Sequence, residues 1–227
     1  MPDISFIFEV HQPFRINRRF YQELLGSERT RTEDLFDLYF DSKLNKDIFT
    51  RISEQCYLPA NNAILNSIDK QKREKRPFKV AYSISGSFIE QCEKWNKDIL
   101  ESFKQLSESR CVEFLEQTYY HSIVSLSENE GLEFIEQVRM HQQLMRDLLN
   151  CKPTIFENTE CLYNNRIGRI VSDLGYKAIL TEGSERILGW RSPNFLYKSR
   201  YSNIHILLRN YLLSDDVGFR FSSRDWK

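Results

Sequence analysis

The sequence predicts an α/β fold built on parallel strands, and three observations carry that prediction. Six short runs rich in β-branched and aromatic residues punctuate the chain: Ile4 to Val10, Phe78 to Ser85, Cys111 to Thr118, Thr154 to Thr159, Ala178 to Thr181 and Ile204 to Leu208. Amphipathic stretches lie between several of them, and strand–helix–strand alternation implies parallel pairing with helices packed outside. No Gly/Ser linker or composition break interrupts the 227 residues, so 1–227 reads as a single domain without internal repeats.

After the first strand comes a long insertion at about 14–50, rich in Arg, Asp, Phe and Tyr. Insertions of this kind on a rigid scaffold often carry function, and Glu33 to Ile48 is its helical part. Leu58 to Lys70 places Ile64, Leu65 and Ile68 at helical spacing, with Pro59 near the first turn. Phe88 to Leu106 and Glu128 to Leu149 repeat that pattern, and Asn164 to Leu174 is a shorter helix closed by Gly175. The basic run Lys70 to Arg76 sits at a helix end, where cations suit the dipole and a solvated face is the expected meaning.

Composition excludes several functions. Lys plus Arg total 32 and Asp plus Glu total 32, so the formal net charge is zero. A nucleic-acid partner usually needs a basic excess, which excludes that class here. Hydrophobic residues at 41% and charged residues at 28% exclude a disordered chain. The first residues lack the basic and apolar segments of a secretion signal, and no run approaches the roughly 18 apolar residues of a membrane span. The five cysteines (56, 92, 111, 151 and 161) form no C-x-x-C pair, and buried reduced thiols in a cytoplasmic protein are expected.

In parallel α/β folds the site gathers at the carboxyl ends of the strands. The first strand is followed by His11-Gln12-Pro13, the second by Gly86-Ser87-Phe88-Ile89-Glu90-Gln91 and the third by Tyr119-Tyr120-His121. The fourth carries Glu157-Asn158-Thr159-Glu160, the fifth precedes Glu182-Gly183 and the sixth precedes Arg209-Asn210. Helix capping accounts for Ser87 or Asn158. It does not account for His11, His121 and Glu160 together, so this ring of polar residues reads as functional.

Its chemistry is narrowed by elimination. No H-x-x-x-H or H-E-x-x-H spacing occurs, so no metal is expected, and that option stays open only if His11 and His121 meet in space. G-x-S-x-G is absent, and eight glycines provide no phosphate-binding loop. Carboxylate chemistry remains, supported by His and by aromatics that make up 13% of the chain. That set suits a sugar, whose rings stack on aromatic faces and whose anomeric carbon a carboxylate attacks.

These residues resemble glycoside hydrolase family 57, the α-amylase and 4-α-glucanotransferase family. His11-Gln12-Pro13 is similar to its first signature, and Gly86 to Gln91 to its second, Gly-x-x-x-Glu-Gln. Glu157-Asn158-Thr159-Glu160 is similar to the nucleophile segment. Tyr120-His121 and the stretch from Leu208-Arg209-Asn210 through Ser214-Asp215-Asp216 resemble the α-amylase-like branch. The resemblance implies an incomplete (β/α)7-type barrel acting on α-glucan or maltooligosaccharide by a retaining mechanism, without cofactor. It implies Glu160 as nucleophile, with His11 and Glu90 holding the sugar beside the scissile bond. His121 and Arg209 join them as substrate-binding residues.

Two departures qualify the expectation. Glu157 stands where the family often has Arg, and strand alternation places it on the face opposite Glu160. The acid/base Asp of the family lies in a later motif, and this sequence ends at Trp226-Lys227 before it. Asp215, Asp216 and Glu182 are the carboxylates near the rim that stand in for it least badly. The chain therefore reads as a barrel truncated before its last strands, whose open sheet edge favours self-association. A glucan-binding remnant without turnover and a metal-dependent polysaccharide deacetylase are the alternatives.

Overall fold

The computed structural model describes residues 4–26, 32–74, 77–127 and 131–223. The chain divides into two compact units, Met1–Glu113 and Phe114–Lys227. In the first, β1 (Ile7–Val10) is followed by α1 (Phe20–Gly26), α2 (Thr32–Tyr39) and α3 (Ser42–Ile52). A π-helical turn over Ser53–Tyr57 carries α3 directly into α4 (Leu58–Gln71). Then come β2 (Val80–Ile84), α5 (Gly86–Trp95), α6 (Lys97–Glu108) and β3 (Val112–Leu115), whose residues span the boundary in sequence.

The three strands form one sheet in the order β1-β2-β3, with β1 and β2 parallel and Ile7 opposite Ala81. All five residues of β2 are buried, as expected of a strand covered on both faces. Phe103 from α6 packs on Tyr82 of β2, Phe88 from α5 packs on Phe103 and Phe49 from α3 packs on Phe88, and all three are buried. The insertion builds an aromatic cluster in which Phe14 meets Phe36, Phe40 and Trp95 at centroid separations of 5.2, 5.4 and 6.2 Å.

The second unit continues through a 3₁₀ turn at Ile123–Leu126 to α7 (Leu132–Leu149) and β4 (Ile155–Glu157). A 3₁₀ turn at Thr159–Cys161 leads to α8 (Asn165–Asp173) and β5 (Ala178–Glu182). Beyond them lie α9 (Glu185–Leu188), β6 (Tyr197–Lys198), β7 (His205–Arg209), α10 (Tyr211–Asp215) and a π-helical turn at Asp216–Arg220. The sheet order is β4-β5-β7-β6, parallel except for the antiparallel β6–β7 pair. Its core joins Phe134 and Val138 of α7, Phe156 of β4, Ile167 and Val171 of α8, and Ile179 of β5. Gly175 closes α8 at φ +93°, the left-handed conformation for which glycine is suited.

The α/β class with parallel strands is therefore the observed one. The differences lie in the details. Phe88 to Leu106, expected as one helix, is broken because Asn96 adopts φ −157° and ψ 92° and caps α6 through the Asp98 N–H. β6 is antiparallel and only two residues long, too short for a periodicity to announce it. Of the five cysteines only Cys92 is buried, and that burial pushes its thiol pKa up, whereas Cys56 is exposed. Lys75 and Arg76, and Glu128 at the expected start of α7, lie outside the described residues. No helix among the described residues is long and apolar enough to cross a membrane.

Candidate active-site residues

In the first unit, His11 directly follows β1 and Ser85 directly follows β2. Because the strands are parallel and in register, with Val10 opposite Ile84, both residues emerge at the same sheet end. His11 Nδ1 is 2.8 Å from Ser85 Oγ and 3.4 Å from Ser87 Oγ. Ser85, not the expected Ser87, caps α5 by accepting from the Phe88 N–H at 3.3 Å. Its hydroxyl therefore both starts the helix and holds the imidazole.

Gln91 ties the two segments together. It is fully buried, and Nε2 donates to the Gln12 carbonyl at 2.6 Å and to the Ser87 carbonyl at 3.2 Å. Gln12 in turn donates to the Tyr57 hydroxyl at 2.9 Å and accepts from Arg15 Nη2 at 3.1 Å. Glu90 is half-buried on α5, one position before Gln91.

In the second unit, Glu160 stands on the turn after β4. It is exposed, whereas Glu157 at the strand end is buried. The strand stops at Glu157, so alternation does not reach residue 160, and backbone conformation separates the two carboxylates instead. Glu160 has φ 56° and ψ 26°, and Cys161 has φ 53°. Left-handed conformations cost non-glycine residues of order 1–3 kcal/mol each and persist where the surroundings over-determine them. The surroundings here are polar and buried. Thr159 Oγ1 lies 3.0 Å from Thr118 Oγ1, and the Thr181 hydroxyl donates to the Cys161 carbonyl at 2.9 Å.

His121 is also left-handed, at φ 53°, and its Nδ1 donates to Gln117 Oε1 at 3.0 Å. Burial lowers its pKa below the ordinary value, and the negative charge of Glu160 partly offsets that shift. The imidazole is thus held neutral within electrostatic reach of Glu160.

Arg209, at the end of β7, bridges two carboxylates. Nη1 donates to Glu182 Oε2 at 2.9 Å and Nη2 to Asp215 Oδ1 at 3.1 Å. Asp216 pairs with Arg220 at 2.8 Å. All three rim carboxylates considered as substitute acids are therefore engaged by arginine. Beside them, a cavity of about 320 Å³ is lined by Gly183, Pro193, Asn194, Asn210 and Tyr211 among others. Among the described residues no group of three His, Cys, Asp or Glu side chains is placed to hold a metal ion.

The sequence did not single out Ser85, Gln117 and the structural part played by Gln91. The first was legible, since Ser85 precedes Phe88 by the N-cap interval at a strand-to-helix turn. Gln117 and Gln91 act through side-chain contacts that no spacing rule announces.

The model of the family described as Glycosyl hydrolase family 57 matches residues 5–227. The chain belongs to this family. A Methanocaldococcus jannaschii protein described as "Putative alpha-amylase" is 48% identical over 223 residues, covering 98% of this chain and 44% of that protein. The chain thus spans less than half the length of this relative. The fold is similar to that of 4-alpha-glucanotransferase from Thermococcus litoralis, with TM-score 0.67 and 15% identity, over 95% of this chain and 29% of the other. It is also similar to the alpha-amylase AmyC from Thermotoga maritima, with TM-score 0.62 and 13% identity, over 95% and 47% of the two chains.

Proposed function

We propose that this family 57 chain acts on α-glucans or maltooligosaccharides as a retaining hydrolase or transglycosylase, with Glu160 as nucleophile. The observation that carries the reading is the presentation of Glu160. An exposed carboxylate sits on a left-handed turn immediately past a parallel strand, in the segment Glu157-Asn158-Thr159-Glu160 whose resemblance to the family's nucleophile segment supports the reading. In a retaining mechanism the carboxylate attacks the anomeric carbon, the leaving oxygen takes a proton from an acid, and water then cleaves the glycosyl ester. His121, whose pKa burial lowers and whose Nδ1 donates to Gln117, is suited to accept a hydrogen bond from a sugar hydroxyl without quenching the carboxylate.

His11, steadied by Ser85, and Glu90 are assigned to sugar binding, as is Arg209 through the guanidinium N–H groups left by its two ion pairs. The acid/base carboxyl is not assigned, and the pairing of Glu182, Asp215 and Asp216 with arginines argues against each of them. One family model over both units supports reading them as portions of a single, incomplete barrel-type domain. Among the described residues β1 is an edge strand of its sheet with Phe8 39% exposed, which fits self-association, to be read by light scattering. A cytoplasmic location is in keeping with five free cysteines.

The test is turnover of maltoheptaose and of α-maltosyl fluoride, whose fluoride leaves without acid assistance. Glu160→Gln should abolish both. Equal rates for the two proteins would sink the assignment. Binding of maltoheptaose without turnover of either substrate would favour a glucan-binding remnant.

A further inference from the structure

We propose that Asn158 is the positioning residue of Glu160, acting on the reaction through the backbone turn that presents this carboxylate. The inference rests on the reading of Glu160 as nucleophile. Asn158 is fully buried between β4 and the turn. Its Nδ2 donates to Ser125 Oγ at 2.9 Å and to the Leu162 carbonyl at 2.9 Å. One amide group therefore reaches across the whole turn, from residue 158 to residue 162, and anchors it to the Ser125 segment. That segment is itself held, since Arg166 Nη2 donates to the Ser125 carbonyl at 2.9 Å.

Inside this brace the chain does what L-residues avoid. Glu160 and Cys161 are consecutive and both left-handed, and the Cys161 N–H donates back to the Asn158 carbonyl at 2.8 Å. Two non-glycine residues hold such a conformation only where contacts leave no relaxed alternative. The Thr118–Thr159 and Thr181–Cys161 hydrogen bonds fix the turn from its flanks. The Asn158 side chain links its two ends. The Leu162 carbonyl can only accept, so the brace requires a donor at that position. Asparagine supplies it and aspartate, of the same shape, does not. Loss of the donor frees the turn to relax, and a displacement of about 1 Å at a reacting group is enough to lower turnover a hundredfold.

The test uses α-maltosyl fluoride and four proteins: the unaltered chain, Asn158→Asp, Glu160→Gly and the double variant. In the native background, the Glu160 carboxylate attacks the anomeric carbon as fluoride departs with the bonding pair. In the Glu160→Gly background, added azide takes the place of the carboxylate and yields maltosyl azide. Asn158→Asp should lower kcat about ten- to a hundredfold in the native background, with KM within about twofold. It should leave azide-dependent turnover in the Glu160→Gly background unchanged, because no side chain then needs positioning. Ser125→Ala, which removes one of the two acceptors and keeps the amide, should lower kcat by a smaller factor, and serves if the aspartate variant fails to fold. Equal losses in both backgrounds would mean a general structural role and overturn the proposal, as would no loss in the native one. Turnover indifferent to Glu160→Gly would sink the nucleophile reading itself.

Discussion

The polar residues after β1 and β2 and those after β4 are presented by different means. His11 and Ser85 sit at the ends of two paired strands, and Ser85 caps a helix in ordinary extended geometry at φ −74° and ψ 150°. Nothing there departs from relaxed backbone. Glu160 and Cys161 instead occupy left-handed conformations, braced by buried amide and hydroxyl groups. The first region uses secondary structure itself as its scaffold, so its side chains are placed by register. The second stores strain, and its carboxylate depends on a polar network, a pattern that clusters where geometry matters to function.

The sharpest way to break this comparison is to remove the carboxylate. Glu160→Gln should cost at least about a thousandfold in turnover of α-maltosyl fluoride, the order expected when a covalent nucleophile is lost. His11→Ala should raise KM for maltoheptaose more than it lowers kcat, as fits a binding group. If the two variants lost activity in the same manner, the division into a relaxed binding cluster and a strained reacting carboxylate would fall.

A second contrast lies beneath the sites, in their cores. Phe156 is fully buried two residues before Asn158 and packs on Phe134 and Tyr176 at 5.7 and 5.5 Å between centroids. Phe88, also fully buried, packs on Tyr57 at 4.8 Å just after the Ser85 cap. Each truncation to alanine should cost about 3–5 kcal/mol in urea unfolding. Similar costs would show that the regions share equal foundations and differ only in the turn. A much smaller loss for Phe156→Ala would show that the strained turn lies on a loose core.

The same contrast explains how much could be read from the sequence. Strand ends were legible because a short, mostly apolar run without charges such as Val80 to Ile84 reads as a buried strand, and the polar residues after it emerge at the rim. His11, Glu90 and Glu160 were reached that way. The conformation of Glu160 was not, since left-handed backbone at a glutamate is imposed by contacts far away in sequence, such as Asn158 to Ser125. The separation of Glu157 from Glu160 was expected from alternation, but the strand ends at Glu157 and the turn produces it. Arg209 was singled out as a binding residue, yet its two carboxylate partners needed the fold to bring Glu182 and Asp215 together.

The relaxed region has its own, smaller lever. Ser85→Ala removes a helix cap, which is worth about 0.5–2 kcal/mol, and releases the imidazole of His11 from its 2.8 Å contact. Urea unfolding should report the first effect, and a weaker affinity for maltoheptaose in calorimetry the second. Ser85→Thr keeps a hydroxyl and should restore most of both. Failure of threonine to restore binding while it restores stability would detach His11 from the cap.

The smallest effect is electrostatic and belongs to the strained region. Burial lowers the pKa of His121 below its ordinary 6.5, and Glu160 partly raises it again. The unfolded chain therefore binds more protons than the folded one between the folded value and about 6.5, so stability rises with pH across that window. Acidification from pH 7 should begin to cost stability near pH 6.5, and the loss should level off below the folded value, where both states are protonated. Glu160→Gln removes the group that favours the imidazolium, so the His121 midpoint, followed by NMR of its ring protons, should move further down. Stability on the acid side of the window should fall with it. A midpoint that stays put or rises would mean that Glu160 and His121 do not sense each other's charge, and the case for a neutral imidazole tuned beside the carboxylate would be lost.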